Sequence, residues 1–185
     1  LVASKFRSGT PEKAHSDYSF QIRLPLREAE RVLKPDGIFS FLYTHSSLKG
    51  WEAILKGYRA TNLVITSVQP LSIERRQRPR AMTSEAVNTC IAFVAHKTEA
   101  KKQKASLAEI KRRLEEICDT FAPNLRKVGW AEVDTALATF ANGVGMLANT
   151  ESVEDCSTDA EALRAMESVV KQKLPSFTLR DRDSL

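Results

Sequence analysis

The sequence is poor in the residues that build metal sites, disulfide frameworks and membrane spans. It has 3 cysteines and 3 histidines among 185 residues. It has no CxxC pair and no histidine at ligand spacing, so neither zinc nor a disulfide scaffold is expected. No apolar run reaches the roughly 20 residues that a membrane helix needs, and no signal peptide is recognisable. We therefore predict free thiols and a location in the reducing cytoplasm.

Glycine-rich phosphate loops are also missing. Gly143 and Gly145 stand close together, but they follow no predicted strand and lack the third glycine of a dinucleotide-binding loop. Their spacing favours instead a close approach between packed helices. The composition, with 42% hydrophobic and 28% charged residues, is that of a globular protein.

Positive charge is concentrated in the first half of the chain. Residues 1–97 hold 15 Lys and Arg against 8 Asp and Glu, whereas residues 98–185 hold 13 against 15. The densest basic cluster comprises Arg75, Arg76, Arg78 and Arg80. Because guanidinium groups present planar forks of donors to phosphate, we predict that these arginines contact nucleic acid. The alternative is a solvated loop without a ligand.

The first half of the chain reads as an α/β pattern. A helical stripe ends at residues 31–37, Arg-Val-Leu-Lys-Pro-Asp-Gly, because the α region is disfavoured before Pro35 and Asp-Gly forms a turn. Residues 38–44 are almost wholly apolar, which predicts a strand covered on both faces. The predicted order is a helix, a strand, a helix, a strand, a long loop and a strand, at 15–33, 38–44, 46–58, 62–68, 70–85 and 88–95. We expect the first two strands to pair in parallel.

The second half reads as helices. Residues 97–104 are predicted to be a charged linker, and the stripe from Leu107 to Ile117 predicts a helix that ends before Pro123. Two further helices are expected at 132–148 and 159–173. The pattern predicts two units, a partial α/β domain over residues 1–97 and a helical extension over residues 98–185.

One histidine stands at a position where α/β folds bind ligands. His45 follows the strand 38–44, and open α/β sheets bind ligands beyond the carboxyl ends of their strands. We list His45 with the arginine cluster as a candidate substrate or DNA contact. The alternative is that Thr44 and Ser46 merely cap the next helix.

The amino-acid sequence around the turn at residues 31–37, together with the order of helices, strands and loop, resembles the second half of class I S-adenosylmethionine-dependent methyltransferases. The loop and last strand resemble the adenine-specific DNA methylase family more narrowly, at Gln69-Pro70-Leu71-Ser72-Ile73-Glu74, Arg78-Pro79-Arg80-Ala81-Met82-Thr83-Ser84-Glu85-Ala86 and Asn88-Thr89-Cys90-Ile91-Ala92-Phe93-Val94. Residues 1–8 also resemble the stretch after that family's catalytic Asp-Pro-Pro-Tyr segment. The likeness covers residues 1–97 well and the helical tail loosely.

The resemblance implies a Rossmann-like sheet whose last two strands form an antiparallel hairpin. It also implies S-adenosylmethionine as the cofactor and DNA as the partner. The family's glycine-rich cofactor motif and its Asp-Pro-Pro-Tyr motif are both absent, and Gln69-Pro70 replaces the usual Trp-Pro. We therefore expect the C-terminal part of a DNA amino-methyltransferase, without catalytic or cofactor-binding residues of its own and with an apolar sheet edge that promotes association. The alternatives are a non-catalytic remnant or split subunit that binds nucleic acid or a partner, and a methyltransferase for RNA or a small molecule.

Overall fold

A computed structural model of the chain describes residues 10–72 and 89–179. The described part contains five helices and five strands in mixed order. The helices are α1 (Pro11–Val32), α2 (Leu48–Arg59), α3 (Leu107–Lys127), α4 (Glu132–Ala148) and α5 (Asp159–Lys173). The strands are β1 (Ile38–Tyr43), β2 (Leu63–Ser72), β3 (Thr89–Lys97), β4 (Gln103–Ala105) and β5 (Thr150–Val153). The protein is therefore a mixed α/β structure with a small sheet, as the pattern predicted.

Helix α1 begins and ends where its sequence contains start and stop signals. The Thr10 hydroxyl accepts a hydrogen bond from the Lys13 amide at 3.3 Å, which satisfies a donor that the first turn leaves open. The apolar stripe of Tyr18, Ile22 and Leu26 is buried, as its helical spacing predicted. A proline in this stripe is expected either to kink the helix or to mark its first turn. Pro25 lies in the interior of the helix, on its exposed side, so it does not mark the first turn.

The main sheet has three strands in the order β1–β3–β2, and both pairings are antiparallel. Pairing of β2 with β3 confirms the expected hairpin between the last two strands. The expected direct pairing of β1 with β2 is wrong, because β3 lies between them. β1 and β2 still run in the same direction, and their order could not be foreseen because strand pairing joins residues far apart in sequence.

The prediction that β1 is covered on both faces is also wrong. Its side chains alternate, with Tyr43 buried while Ile38 is 67% exposed and Leu42 is 50% exposed. Among the strands that the structure describes, β1 pairs only with β3 and is an edge strand. An apolar edge strand of this kind offers open backbone groups to a further strand.

One face of the sheet carries the hydrophobic core. Ile91, Phe93 and Ala95 of β3 are fully buried on this face. The Trp51 ring of α2 contacts Phe93 and Phe140 of α4, with ring centroids 6.4 and 5.5 Å apart. Helices from both halves of the sequence thus share a single core. The division into units at residue 97 stays a prediction.

The helical half matches the expected α4 and α5 but differs elsewhere. The prediction that α3 ends before Pro123 is wrong, because the helix continues to Lys127. Pro123 is exposed and removes only one backbone donor, a loss that the surrounding turns tolerate. The supposed linker contains β4, which pairs in parallel with β5. At Gly143 an added Cβ would lie 3.0 Å from Leu114 Cδ2 of α3 and 3.3 Å from Met166 Cγ of α5, which confirms the expected close approach of helices there. Gly145 instead faces a strand, since its added Cβ would lie 3.0 Å from Val68 Cγ2.

Candidate functional site

The candidate site lies at the end of the main sheet where β1 and β2 terminate and β3 begins. Tyr43 is level with Ile91 of β3, which is level with Pro70 of β2. His45 therefore lies at the same end of the sheet as Ser72 and Thr89, between which residues 73–88 connect β2 to β3. Carboxyl ends of like-directed strands are a common place for ligands in α/β proteins.

Of the predicted site residues, only His45 lies within the part of the chain that the structure describes. Arg75, Arg76, Arg78 and Arg80 lie outside the described residues, between Ser72 and Thr89. The two strand ends on either side of the arginine segment are at the His45 end of the sheet. The roles of His45 and of the four arginines in binding stay predictions.

The His45 imidazole is held in one orientation by the turn that follows it. Its Nδ1 accepts a hydrogen bond from the Ser47 amide at 3.0 Å and lies 3.1 Å from the Ser47 hydroxyl. Because Nδ1 uses its lone pair to accept the amide proton, the neutral ring carries its own proton on Nε2. Nε2 is thereby set as a hydrogen-bond donor.

A glycine makes room for this ring. A Cβ placed on Gly50 would lie 2.1 Å from His45 Cγ, far inside van der Waals contact, so only glycine permits the observed packing. The His45 carbonyl oxygen accepts a hydrogen bond from Trp51 Nε1 at 2.9 Å. The backbone and the side chain of His45 are thus both tied to α2.

Two tyrosine rings, Tyr18 and Tyr43, pack against the His45 ring. The Tyr43 hydroxyl donates to the Gly50 carbonyl oxygen at 2.6 Å and lies 3.2 Å from the Tyr18 hydroxyl. The Tyr43 ring stacks at 15° to the His45 ring, and the Tyr18 ring is tilted against it. Sequence reasoning missed these tyrosines, because it treated Tyr18 only as part of a helical stripe.

The capping alternative for this segment named the wrong residues. Ser47 rather than Ser46 precedes the first turn of α2, and its hydroxyl accepts from the Gly50 amide at 3.4 Å. Thr44 and Ser46 are exposed. Adjacent serines are equally good caps by residue type. The bond from the Ser47 amide to His45 is the contact that distinguishes them.

Buried groups near the site carry no sign of covalent or metal chemistry. In residues 10–72 and 89–179 no group of His, Cys, Asp and Glu side chains could hold a metal ion. The three cysteines are free, as expected, and burial raises the pKa of the Cys90 thiol at the start of β3. A raised thiol pKa makes a nucleophilic role for Cys90 unfavourable at neutral pH.

The described residues do not fit an S-adenosylmethionine site. The space beside Gly50, in the first turn of α2, is filled by the His45 ring, so it leaves no room for a ligand against that turn. Thr44, His45, Ser46 and Ser47 follow β1, so no carboxylate stands there to bind a ribose hydroxyl. No reaction step can be assigned to a cofactor at this position.

Comparisons with other proteins do not assign this chain to a family. Of the described helices, none has both the length and the apolar character to cross a membrane. A comparison with protein-family models, curated proteins and solved structures finds no significant match to this chain.

Proposed function

We propose that this chain is the C-terminal part of a class I S-adenosylmethionine-dependent DNA amino-methyltransferase, most like the adenine-specific DNA methylases. The observation that carries the proposal is the antiparallel pairing of β2 with β3 beside a strand, β1, that runs in the direction of β2. The resemblance implies a terminal hairpin of this kind. The amino-acid sequence of residues 31–37, just before β1, supports the same assignment.

In this proposal the chain supplies scaffold and a DNA-facing surface, and catalysis requires residues from another part of the enzyme. The edge of β1, which has no partner among the described strands, is where the strands of the catalytic half would continue the sheet. Ile38 and Leu42 are exposed on the face of β1 opposite the core, and helices of that half would cover them. Burial of both side chains would contribute about 2–4 kcal/mol to its docking.

The substrate face in this proposal is the sheet end that holds His45 and the ends of the arginine segment. The four arginines would bind DNA phosphates, and His45 would donate a hydrogen bond from Nε2. Both contacts position the substrate and neither transfers a proton in the reaction. Three free cysteines agree with a cytoplasmic location for such an enzyme.

A second candidate function is a non-catalytic subunit that binds nucleic acid or a partner. Such a subunit needs no cofactor site in any part of the protein, and the described residues offer none. The two functions differ in whether the complete protein transfers a methyl group.

Replacing Arg75, Arg76, Arg78 and Arg80 by Ala in the full-length enzyme tests the substrate face. We expect DNA affinity to fall and the slope of log affinity against log salt to decrease by about 3–4, since each phosphate contact contributes roughly 0.9. The rate of methyl transfer at saturating DNA should change little. An unchanged salt slope would show that the arginine segment does not contact phosphates.

The isolated chain gives a complementary test. Calorimetric titration with S-adenosylmethionine should show no binding, because the described residues offer no cradle for it. Micromolar binding would contradict the assignment of the cofactor site to another part of the enzyme.

A further inference from the structure

A groove runs along the outer edge of β2, away from the His45 end of the sheet. Its walls are Val64–Val68 of β2, Thr98 together with the segment from Ala100 to Ala105, and residues of α3 and α4. The cavity has a volume of about 520 Å³. Four cationic side chains line it, against the single carboxylate of Glu109; they are Lys101, Lys102, Lys104 and Arg113. The groove is therefore strongly positive.

The edge of β2 inside this groove is closed to another strand. The Asn149 side chain accepts a hydrogen bond from the Ile65 amide at 2.8 Å and donates one to the Ile65 carbonyl oxygen at 2.7 Å. The amide of a side chain thus occupies the backbone groups that a peptide strand would use. A ligand in this groove must be recognised through side chains and charge.

None of the four groove cations forms an ion pair within 4.0 Å among residues 10–72 and 89–179. The Glu30 carboxylate is near Lys102 and offsets its burial only in part. The Lys102 ammonium group donates to the Tyr58 carbonyl oxygen at 2.6 Å. Burial, and then the nearby Arg59, lowers the pKa of Lys102 to about 8. An anion bound in the groove would offset both the burial of the Lys102 charge and its repulsion by Arg59.

The chemistry of the walls indicates which anion fits. No aromatic side chain is among the described residues that line the groove, so a nucleobase would find no ring on which to stack. Lys101 and Lys104 are three residues apart, so their Cα atoms are at most about 10 Å apart. Measured along the axis of a duplex, that distance covers about three phosphates of one strand. Ser67, beside the irregularity in β2, adds a hydroxyl donor to the groove lining, whereas the Thr66 hydroxyl already donates to the Val94 carbonyl oxygen.

We propose that this groove binds the sugar–phosphate backbone of duplex DNA. The inference rests on the proposed function for its choice of DNA, and it adds a second contact surface to the predicted arginine segment. Both surfaces are related to β2. The groove flanks Val64–Val68 of the strand, and the arginines follow Ser72 in the sequence. From Val68 to Ser72 the strand advances about 13 Å, so a duplex bound in the groove can extend as far as the end of β2.

A pair of charge-matched variants tests the groove in the full-length protein. The first is Lys101→Ala, Lys104→Ala and Arg113→Ala combined, and the control is Lys34→Ala, Arg126→Ala and Lys171→Ala combined. All six side chains are exposed, so neither variant should unfold, and circular dichroism melting verifies this. Fluorescence anisotropy then gives the affinity for a labelled duplex of about 20 base pairs between about 50 and 200 mM salt.

The groove variant should bind the duplex at least about tenfold more weakly, and its salt slope should fall by about 2–3, from roughly 0.9 per lost phosphate contact. The control should lose less than about threefold and keep its slope, because distant exposed charges are screened. Equal losses in the two variants would overturn the proposal, as would an unchanged groove variant. Equally strong displacement of the duplex by polyglutamate at the same charge would also overturn the assignment to DNA.

These outcomes are separable from those of the proposed function. If methyl transfer fails but the groove variant loses affinity selectively, the groove binds DNA in a protein that is not a methyltransferase. If methyl transfer succeeds and the groove variant binds normally, the enzyme contacts DNA elsewhere and the groove proposal is wrong.

Discussion

Removing the Arg59 side chain should destabilise the whole protein. The guanidinium forms an ion pair with Asp159 of α5 and donates to the Leu147 carbonyl oxygen and to the Thr150 hydroxyl, each at 3.2 Å. These bonds connect α2 to the end of α4, to β5 and to the start of α5. The side chains of Arg59 and Asp159 are only 13% and 20% exposed, so water replaces the lost partners poorly.

The expected cost follows from this burial. Breaking a buried ion pair costs about 3–5 kcal/mol, because the remaining charge is left without compensation. Asp159 lies in the first turn of α5, where the helix dipole favours a carboxylate and offsets part of that penalty. We therefore expect Arg59→Met to lower the free energy of unfolding by about 3 kcal/mol. Adding Asp159→Asn should recover about 1 kcal/mol, since it removes the stranded charge.

Urea denaturation followed by circular dichroism measures these changes. Arg112→Met is the matched control, because Arg112 pairs with Glu116 on the exposed surface of α3, with side chains 63% and 61% exposed. Exposed pairs of this kind contribute about 0.5 kcal/mol or less. If Arg59→Met and Arg112→Met lower the free energy of unfolding by the same amount within error, the contacts of Arg59 do not stabilise the fold as the structure indicates.

Three further perturbations have definite expected outcomes. Lys102→Met should raise the free energy of unfolding at pH 7 by about 1–2 kcal/mol. This gain should shrink between pH 8 and 10.5, because there the unfolded chain binds more protons than the folded one. Chemical denaturation at several pH values measures the gain, and a gain that does not change with pH would contradict the prediction. Gly50→Ala should cost about 2–3 kcal/mol and shift the NMR signal of His45 but not those of the other two histidines. Ile38→Lys combined with Leu42→Lys should reduce self-association in light scattering, because charged edge strands resist pairing, and unchanged association would place the contact elsewhere.

The elements that sequence predicted well are those whose signals are local. The stripe of Tyr18, Ile22 and Leu26 predicted α1, and the stripe of α4 gave that helix its observed bounds. The stop at Pro35 and the turn at Gly37 are equally local. Such signals depend on residues a few positions apart, which a single sequence displays directly.

The features that sequence could not predict depend on distant partners. Nothing in residues 38–43 shows that β3 pairs beside them or that one face stays exposed. The contact of Asn149 with Ile65 joins residues 84 positions apart, and the environment of Lys102 depends on Tyr58 and Arg59. The sequence indicated His45 as a candidate by its place after a strand, and its role stays a prediction. The basic groove was missed because Lys101, Lys102 and Lys104 lie in a segment that reads as a linker, while Arg113 lies on the exposed side of a helix.

The central claim is that the complete protein methylates DNA. The most direct measurement is the incubation of the full-length protein with duplex DNA and S-adenosylmethionine carrying a labelled methyl group, followed by mass spectrometry of the nucleosides. The account predicts labelled methyl groups on an exocyclic amino group, with adenine the expected base, and no label when residues 1–185 are supplied alone. Labelling of RNA or a small molecule instead, or no transfer by the full-length protein, would contradict it.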